Sequence, residues 1–349
     1  MAYYTRYEKL QKYYIDGTAV EPAEYKKGEI LGVAEYSSLE ECQNSSTPPT
    51  PPEPGNYTCC IKWEAHKDLN FNFNNNSITT KENPWCTKEK VSGLDFNQSN
   101  SEIVSLDITV DGTNSISTMN SSFREAPYLS SVKLNMPKAA SLSNISYMFA
   151  YSTALTSINF INFDTSNVTT ANYAFFRCSS LPSMGVSNWD TSNLQSADFM
   201  FGDCSSLTSI NLSNWNTSNL KSAWGMFNGC YSLTSIDVSN WDVSNVTDLD
   251  TAFGSCRSLR TLDLSNWNTS KCRVFKFIFS GCENLETLNL KNFDMSGAIS
   301  YNLMFRECKK LHNITCKQAF KDWCITNQDA IELPAAMRNG GSGTWTIVD

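Results

Sequence analysis

One period governs most of this sequence. Phenylalanine returns every 26 residues at Phe123, Phe149, Phe175, Phe201, Phe227, Phe253, Phe279 and Phe305, and leucine follows at Leu129, Leu155, Leu181, Leu207, Leu233, Leu259, Leu285 and Leu311. Cysteine keeps the same step at Cys178, Cys204, Cys230, Cys256, Cys282 and Cys308, as does an aromatic at Phe163, Trp189, Trp215, Trp241, Trp267 and Phe293. A unit of 26 residues cannot bury its own apolar edge, so copies must stack. Residues 226–251 read MFNGCYSLTSIDVSNWDVSNVTDLDT. In that unit LTSIDVS alternates apolar and polar as a short strand does, and NWDVSN supplies the Asn, Asp and Ser side chains that close turns. The spacing predicts a repeat solenoid of about eight coils, with one parallel β-sheet on one face, turns and short helical segments on the other, and a cap at each end.

Composition divides the chain around that core. Residues 1–46 are rich in tyrosine and too short for a robust core, which makes them an expected docking segment with Tyr3, Tyr4, Tyr7, Tyr13, Tyr14 and Tyr25 as candidate contacts. Residues 47–55, TPPTPPEPG, form a proline-rich linker expected to be extended. Residues 56–100 read as a β-rich amino-terminal cap, 101–311 as the solenoid, and 312–349 as a carboxy-terminal cap with a short helix and a final strand.

The repeats separate scaffold from candidate contact positions. Ser157, Ser183, Ser209, Ser235, Thr261 and Thr287 form one monotonous outward row. The row Asn172, Asp198, Trp224, Asp250, Lys276 and Asn302 changes from coil to coil, and Trp224 is apolar where its neighbours are polar, as an exposed anchor for a partner would be. A second variable row, Tyr231, Arg257, Glu283 and Lys309, lies beside the cysteines. These four, with Asp198, Trp224, Asp250 and Lys276 from the first row, make up the eight-residue candidate partner-binding set.

The other rows read as structural. The cysteine position holds Ala126 and Ser152 in earlier coils, so small size is its requirement, and stacked coils would string thiols along a line where a metal wants them converging on one point. Cys59, Cys60 and Cys86 form a local cluster near the amino-terminal cap, poor as a chelate and expected to be structural. Thirteen cysteines, an odd number, with no secretion signal in MAYYTRYEKLQKYY, point to free thiols made in a cytosol. Asn167, Asn193, Asn219 and Asn245, and Asp164, Asp190, Asp242 and Asp294, are expected to cap turns. The sequence shows no nucleophile motif, phosphate loop or zinc signature, so no catalytic residue, cofactor or metal is expected. Net charge is −8 and only 18% of residues are charged, which argues against nucleic acid as a partner. No apolar run approaches the ~18 residues of a membrane helix.

The unit MF-x-G-C-x-SLTSIDVSNWDVSNVT resembles the BspA-like leucine-rich repeats of bacterial surface proteins over residues 101–311, on Phe201, Cys204, Leu207, Ile210, Trp215 and their equivalents. That resemblance implies a leucine-rich-repeat-like solenoid that binds proteins or glycans without catalysis. The first 46 residues are similar to amino-terminal segments in virion proteins of gut-bacterial, crAss-like phages. Together these imply a bacteriophage virion protein, a fibre or decoration on capsid or tail. Residues 1–46 would meet other virion proteins and the solenoid would meet a host-surface glycan or protein. A homo-oligomer is left open. The alternative is a bacterial cell-surface or secreted adhesin.

Overall fold

The computed structural model describes residues 102–110, 116–136 and 142–348 with their side chains, preceded by residues 60–65, Leu94 and Phe96. It gives the backbone alone for the short strands Tyr13–Ile15, Thr18–Val20, Asn70–Phe73, Asn76–Thr79 and Trp85–Thr87. Tyr13 and Tyr14 belong to the first of these, paired antiparallel with the second. Tyr3, Tyr4, Tyr7 and Tyr25 lie outside the described residues.

The chain forms a leucine-rich-repeat-like β-solenoid whose pairing register is the sequence period. Ser105 faces Ser131 and Ser131 faces Ser157 in parallel strands, and Thr261 faces Thr287, which faces Asn313. At the amino-terminal end Cys59–Ala65 pairs antiparallel with both Trp85–Thr87 and Ile103–Val110. At the other end the helix Gln318–Thr326 follows the last repeat, and Thr344–Ile347 adds a parallel strand beside Asn313–Cys316.

The expected single sheet is in fact two hydrogen-bonded blocks. Five strands end at Ser157–Ile161, four begin at Thr261–Asp263, and no described residue between them is in a strand. Pro182 stands where a backbone donor is needed and has none to offer. Apolar side chains still fill the inside of these coils, with Val186, Leu212 and Val238 buried.

On the opposite face the stack is unbroken. Parallel bridges link Thr118, Asn144, Thr170, Ser196, Ser222, Asp248, Val274 and Ser300 in turn. Each coil there makes tight turns, and among the described residues α-helix is confined to the carboxy-terminal cap. The core between the faces is a set of ladders. Phe123 through Phe305 are buried and stacked rung on rung, with Phe201 and Phe227 5.6 Å apart and Phe227 and Phe253 5.7 Å apart. Phe96 adds a rung before the first that the period marks, 5.3 Å from Phe123. Trp215, Trp241 and Trp267 form a parallel second stack at 6.0 and 6.2 Å. Burying each ring contributes roughly 1.5–3 kcal/mol, and offset stacking adds about 0.5–1.5 kcal/mol.

The cysteine row completes this interior by donating hydrogen bonds. Each thiol from Cys178 to Cys308 points at a phenylalanine carbonyl of the preceding coil; Cys204 donates to Phe175 at 3.1 Å and Cys230 to Phe201 at 3.2 Å. The Ser152 hydroxyl does the same for Phe123 at 2.8 Å, which explains why serine can replace cysteine there. Burial pushes the thiols of Cys178 and Cys230 far above the ordinary range and that of Cys282 up to about 12, so they carry no thiolate at neutral pH. Cys204→Ser should therefore be nearly neutral in urea unfolding. Cys204→Ala removes one of two donors to the Phe175 carbonyl, which keeps the Cys178 amide at 3.0 Å, and should cost about 0.5–1.5 kcal/mol.

Cys60 departs from the expectation of free thiols throughout, because it is disulfide-bonded. The strand register sets Cys86 directly opposite it, and facing residues of an antiparallel pair lie about 4.5–5.5 Å apart, within the span a disulfide requires. The nine cysteines from Cys178 to Cys324 are free and buried.

Candidate partner-binding face

Two left-handed positions per coil shape the turn face. Ser121, Tyr147, Tyr173, Phe199, Gly225, Thr251, Phe277 and Leu303 share one phase with φ between 48° and 61°, and Glu125, Tyr151, Arg177, Asp203, Gly229, Ser255, Gly281 and Glu307 share another four residues on. The alternation aims backbone N–H groups along the rod. Phe199, Phe201 and Asp203 donate to the carbonyls of Trp224, Met226 and Asn228 in the next coil, and the other coils repeat this. Most of these positions are not glycine, so inter-coil hydrogen bonds hold a conformation that costs L-residues about 1–2 kcal/mol each.

The first left-handed row carries a surface aromatic stack. Tyr147 and Tyr173 lie 4.8 Å apart and nearly parallel, and Tyr173 and Phe199 lie 5.3 Å apart. Phe176 meets both Tyr173 and Phe199 edge to face. The guanidinium of Arg124 caps the Tyr147 ring at 5.4 Å. The stack stops at Gly225, where a Cβ would fall 2.5 Å from the Phe199 ring, so only glycine lets that ring lie against the next coil. Trp224 stands at 78° to Phe199, 5.0 Å away, and is 40% exposed. This stack was legible in the sequence as three aromatics in one phase, one residue after the variable row.

In that row the side chains brace one coil to the next until Trp224. Asn172 Oδ1 accepts from the Ser196 hydroxyl at 2.7 Å and from the Asp198 amide at 2.8 Å. One coil on, Asp198 Oδ1 accepts from the Ser222 hydroxyl and from the Trp224 amide in the same way. Asp198 is thus partly committed to the scaffold. An indole cannot accept these bonds, and the next coil adjusts. The Asp250 amide turns to Asp248 Oδ1 at 2.8 Å, while Asp250 Oδ1 is buried with no hydrogen-bond partner. Burial, and then the neighbouring Asp248 charge, push the Asp250 carboxyl up to about 6, against a smaller opposing pull from Lys276. Lys276 Nζ itself lies 4.9 Å from the Phe277 ring.

A carboxyl whose folded pKa is raised favours the folded state below its ordinary value of 3.8 and loses that contribution as pH rises through about 6. Asp250→Asn removes the loss. Urea midpoints of the variant and the parent should diverge between about pH 4 and pH 7, with the variant the more stable at pH 7.5. Equal midpoints across that range would contradict this placement of the carboxyl.

The second candidate row is mutually engaged. Arg257 stacks over Tyr231 at 4.5 Å and lies 3.6 Å from Glu283, which meets Lys309 at 3.4 Å; Lys309 also pairs with Glu307 at 2.8 Å. Exposed pairs of this kind contribute little to stability, so the row is a continuous polar ridge along the rod. Tyr231 is 38% exposed. The turn rows behave as expected: Asn193, Asn219 and Asn245 donate to the carbonyls of Ser166, Ser192 and Ser218, and Asp164, Asp190, Asp242 and Asp294 accept from amides two residues on.

Solved structures similar to the chain include a leucine rich cell surface protein from Faecalibacterium prausnitzii A2-165, at 16% identity over 68% of this chain and 86% of that one, with a TM-score of 0.23. Another is the crystal structure of a TLR13–ssRNA13 complex, at 17% identity over 68% of this chain and 37% of that one, with a TM-score of 0.32. The chain spans little more than a third of the length of that second protein. No curated protein matches. The repeats match the family described as "Mycoplasma protein of unknown function, DUF285" over residues 92–208, 143–237 and 225–331, and the chain belongs to that family.

Proposed function

We propose that this chain is a non-enzymatic, surface-displayed solenoid of the BspA-like type that binds a partner through its turn face. The observation that carries the reading is Trp224, a large apolar side chain left exposed in a row whose other members are polar or charged. Exposed aromatics of this kind anchor partners. The Cys60 disulfide supports display outside the cytosol, since such bonds persist in oxidising compartments. It also favours an exported cell-surface or secreted adhesin over a virion protein that folds in a reducing cytosol before lysis. Virion display is the second reading, resting on the similarity of residues 1–46 to phage virion segments.

Protease treatment of intact cells that encode the chain tests this directly. Peptides from residues 101–311 should be released without lysis. Their recovery from purified phage particles and not from cells would establish the second reading, and their retention inside intact cells with none in particles would overturn both.

A further inference from the structure

Building on that reading, we infer that Trp224, flanked by Asp198 and Asp250, is a seat for a protonated amine or guanidinium from a basic segment of a partner protein. Two features point there. Trp224 is the one aromatic of the turn-face cluster that is a large exposed side chain; Tyr147, Tyr173 and Phe199 are half-buried in their own stack. Trp224 also stands outside the bracing that the two preceding coils share. The equivalent Asn172 and Asp198 each tie a hydroxyl and an amide of the following coil, and Trp224 ties neither. Asp250 Oδ1 is unpartnered for a separate reason, because Val274 stands where Ser196 and Ser222 supply a hydroxyl to the coils before.

Charge then selects the occupant. Asp198 and Asp250 sit one coil before and one coil after Trp224 in the same row, about 5 Å away along the rod on each side. Neither aspartate, nor Asp248 beside Asp250, is in an ion pair among the described residues. The nearest cation in the row, Lys276, is placed over the Phe277 ring. An indole between two carboxylates that lie outside any ion pair attracts a cation by its ring quadrupole and by Coulomb interaction together. A neutral sugar would stack on the ring and hydrogen-bond the carboxylates but would draw nothing from their net charge. The chain's net charge of −8 steers the same kind of partner.

The test uses the full chain, an octalysine peptide as probe, and calorimetric titration at low and physiological salt. Octalysine should bind, more weakly as salt rises, and Trp224→Ala should weaken binding about tenfold while the chain still melts in one cooperative transition well above the titration temperature. Trp224→Phe, which keeps a ring, should stay within about threefold, and Tyr128→Ala, an exposed aromatic elsewhere, should change nothing. Equal binding by Trp224→Ala and the parent would reduce the effect to a diffuse acidic surface and overturn the inference. So would an absence of octalysine binding, or cellohexaose binding that depends on Trp224 while octalysine does not bind. Any of these with peptides still released from intact cells would remove the cation seat and leave the display reading standing.

Discussion

Phe227→Ala should lower the unfolding free energy by about 3–5 kcal/mol, among the largest effects any single substitution can have in this chain. The ring is buried at the centre of the stack, between Phe201 at 5.6 Å and Phe253 at 5.7 Å, with Trp241 tilted against it at 6.2 Å. Its neighbours cannot collapse into the space, because backbone hydrogen bonds on the turn face fix their spacing: Phe227 donates to Ala252, and Phe201 donates to Met226. The cavity therefore stays open and both the transfer and the cavity terms are lost. A solenoid is held by nearest-neighbour contacts, so the damage should divide one cooperative transition into two. Urea unfolding followed by tryptophan fluorescence reports it, and a shift under 1 kcal/mol with a single transition would contradict the ladder.

Cys60→Ser should cost about 2–5 kcal/mol at the amino-terminal end, with reducing agent doing the same to the parent protein. Cys60 lies in the strand that covers the first repeat strand, where Ile61 and Trp63 are buried against the core. Without that cover the edge of Ile103–Val110 is open to pairing with other chains. The effect should be local: hydrogen exchange should rise across residues 102–110 while residues 200–300 stay protected. The nine buried thiols should remain inert to a thiol reagent throughout. Uniform loss of protection along the rod would argue against a discrete amino-terminal cap.

Most of the scaffold was legible because its rows are side-chain rows. Phe, Leu, Cys and Trp recur where the interior demands one shape, so the register follows from their spacing alone. The left-handed positions were harder, since Tyr173, Arg177 and Asp203 have no chemistry in common; only Gly225, Gly229 and Gly281, in phase with them, hinted at a shared backbone. The cysteines read correctly as packing residues, but their donor role needed the carbonyl each one meets, for which Ser152 was the clue. Of the three coils without strand pairing, Pro182 marks only the first. The disulfide at Cys60 was missed because an odd cysteine count argues against a framework of bonds and says nothing about one pair. Among the candidate residues, Trp224 is exposed as the row pattern suggested, whereas Asp198 is partly consumed by Ser222 and the Trp224 amide, a bond no one-dimensional pattern displays.

Every row assignment, and with it the face that holds Trp224, depends on successive 26-residue units stacking in register. Pulsed electron resonance between nitroxides at Ser157→Cys and Thr261→Cys, with Cys42 and Cys59 replaced by serine, measures that stacking across the coils that lack strand pairing. Four periods separate these exposed positions, so stacking at about 4.7–4.9 Å per coil sets one narrow distance of about 19–20 Å between the backbone sites, widened only by the label arms. A broad distribution, or a mean beyond about 40 Å, would contradict it.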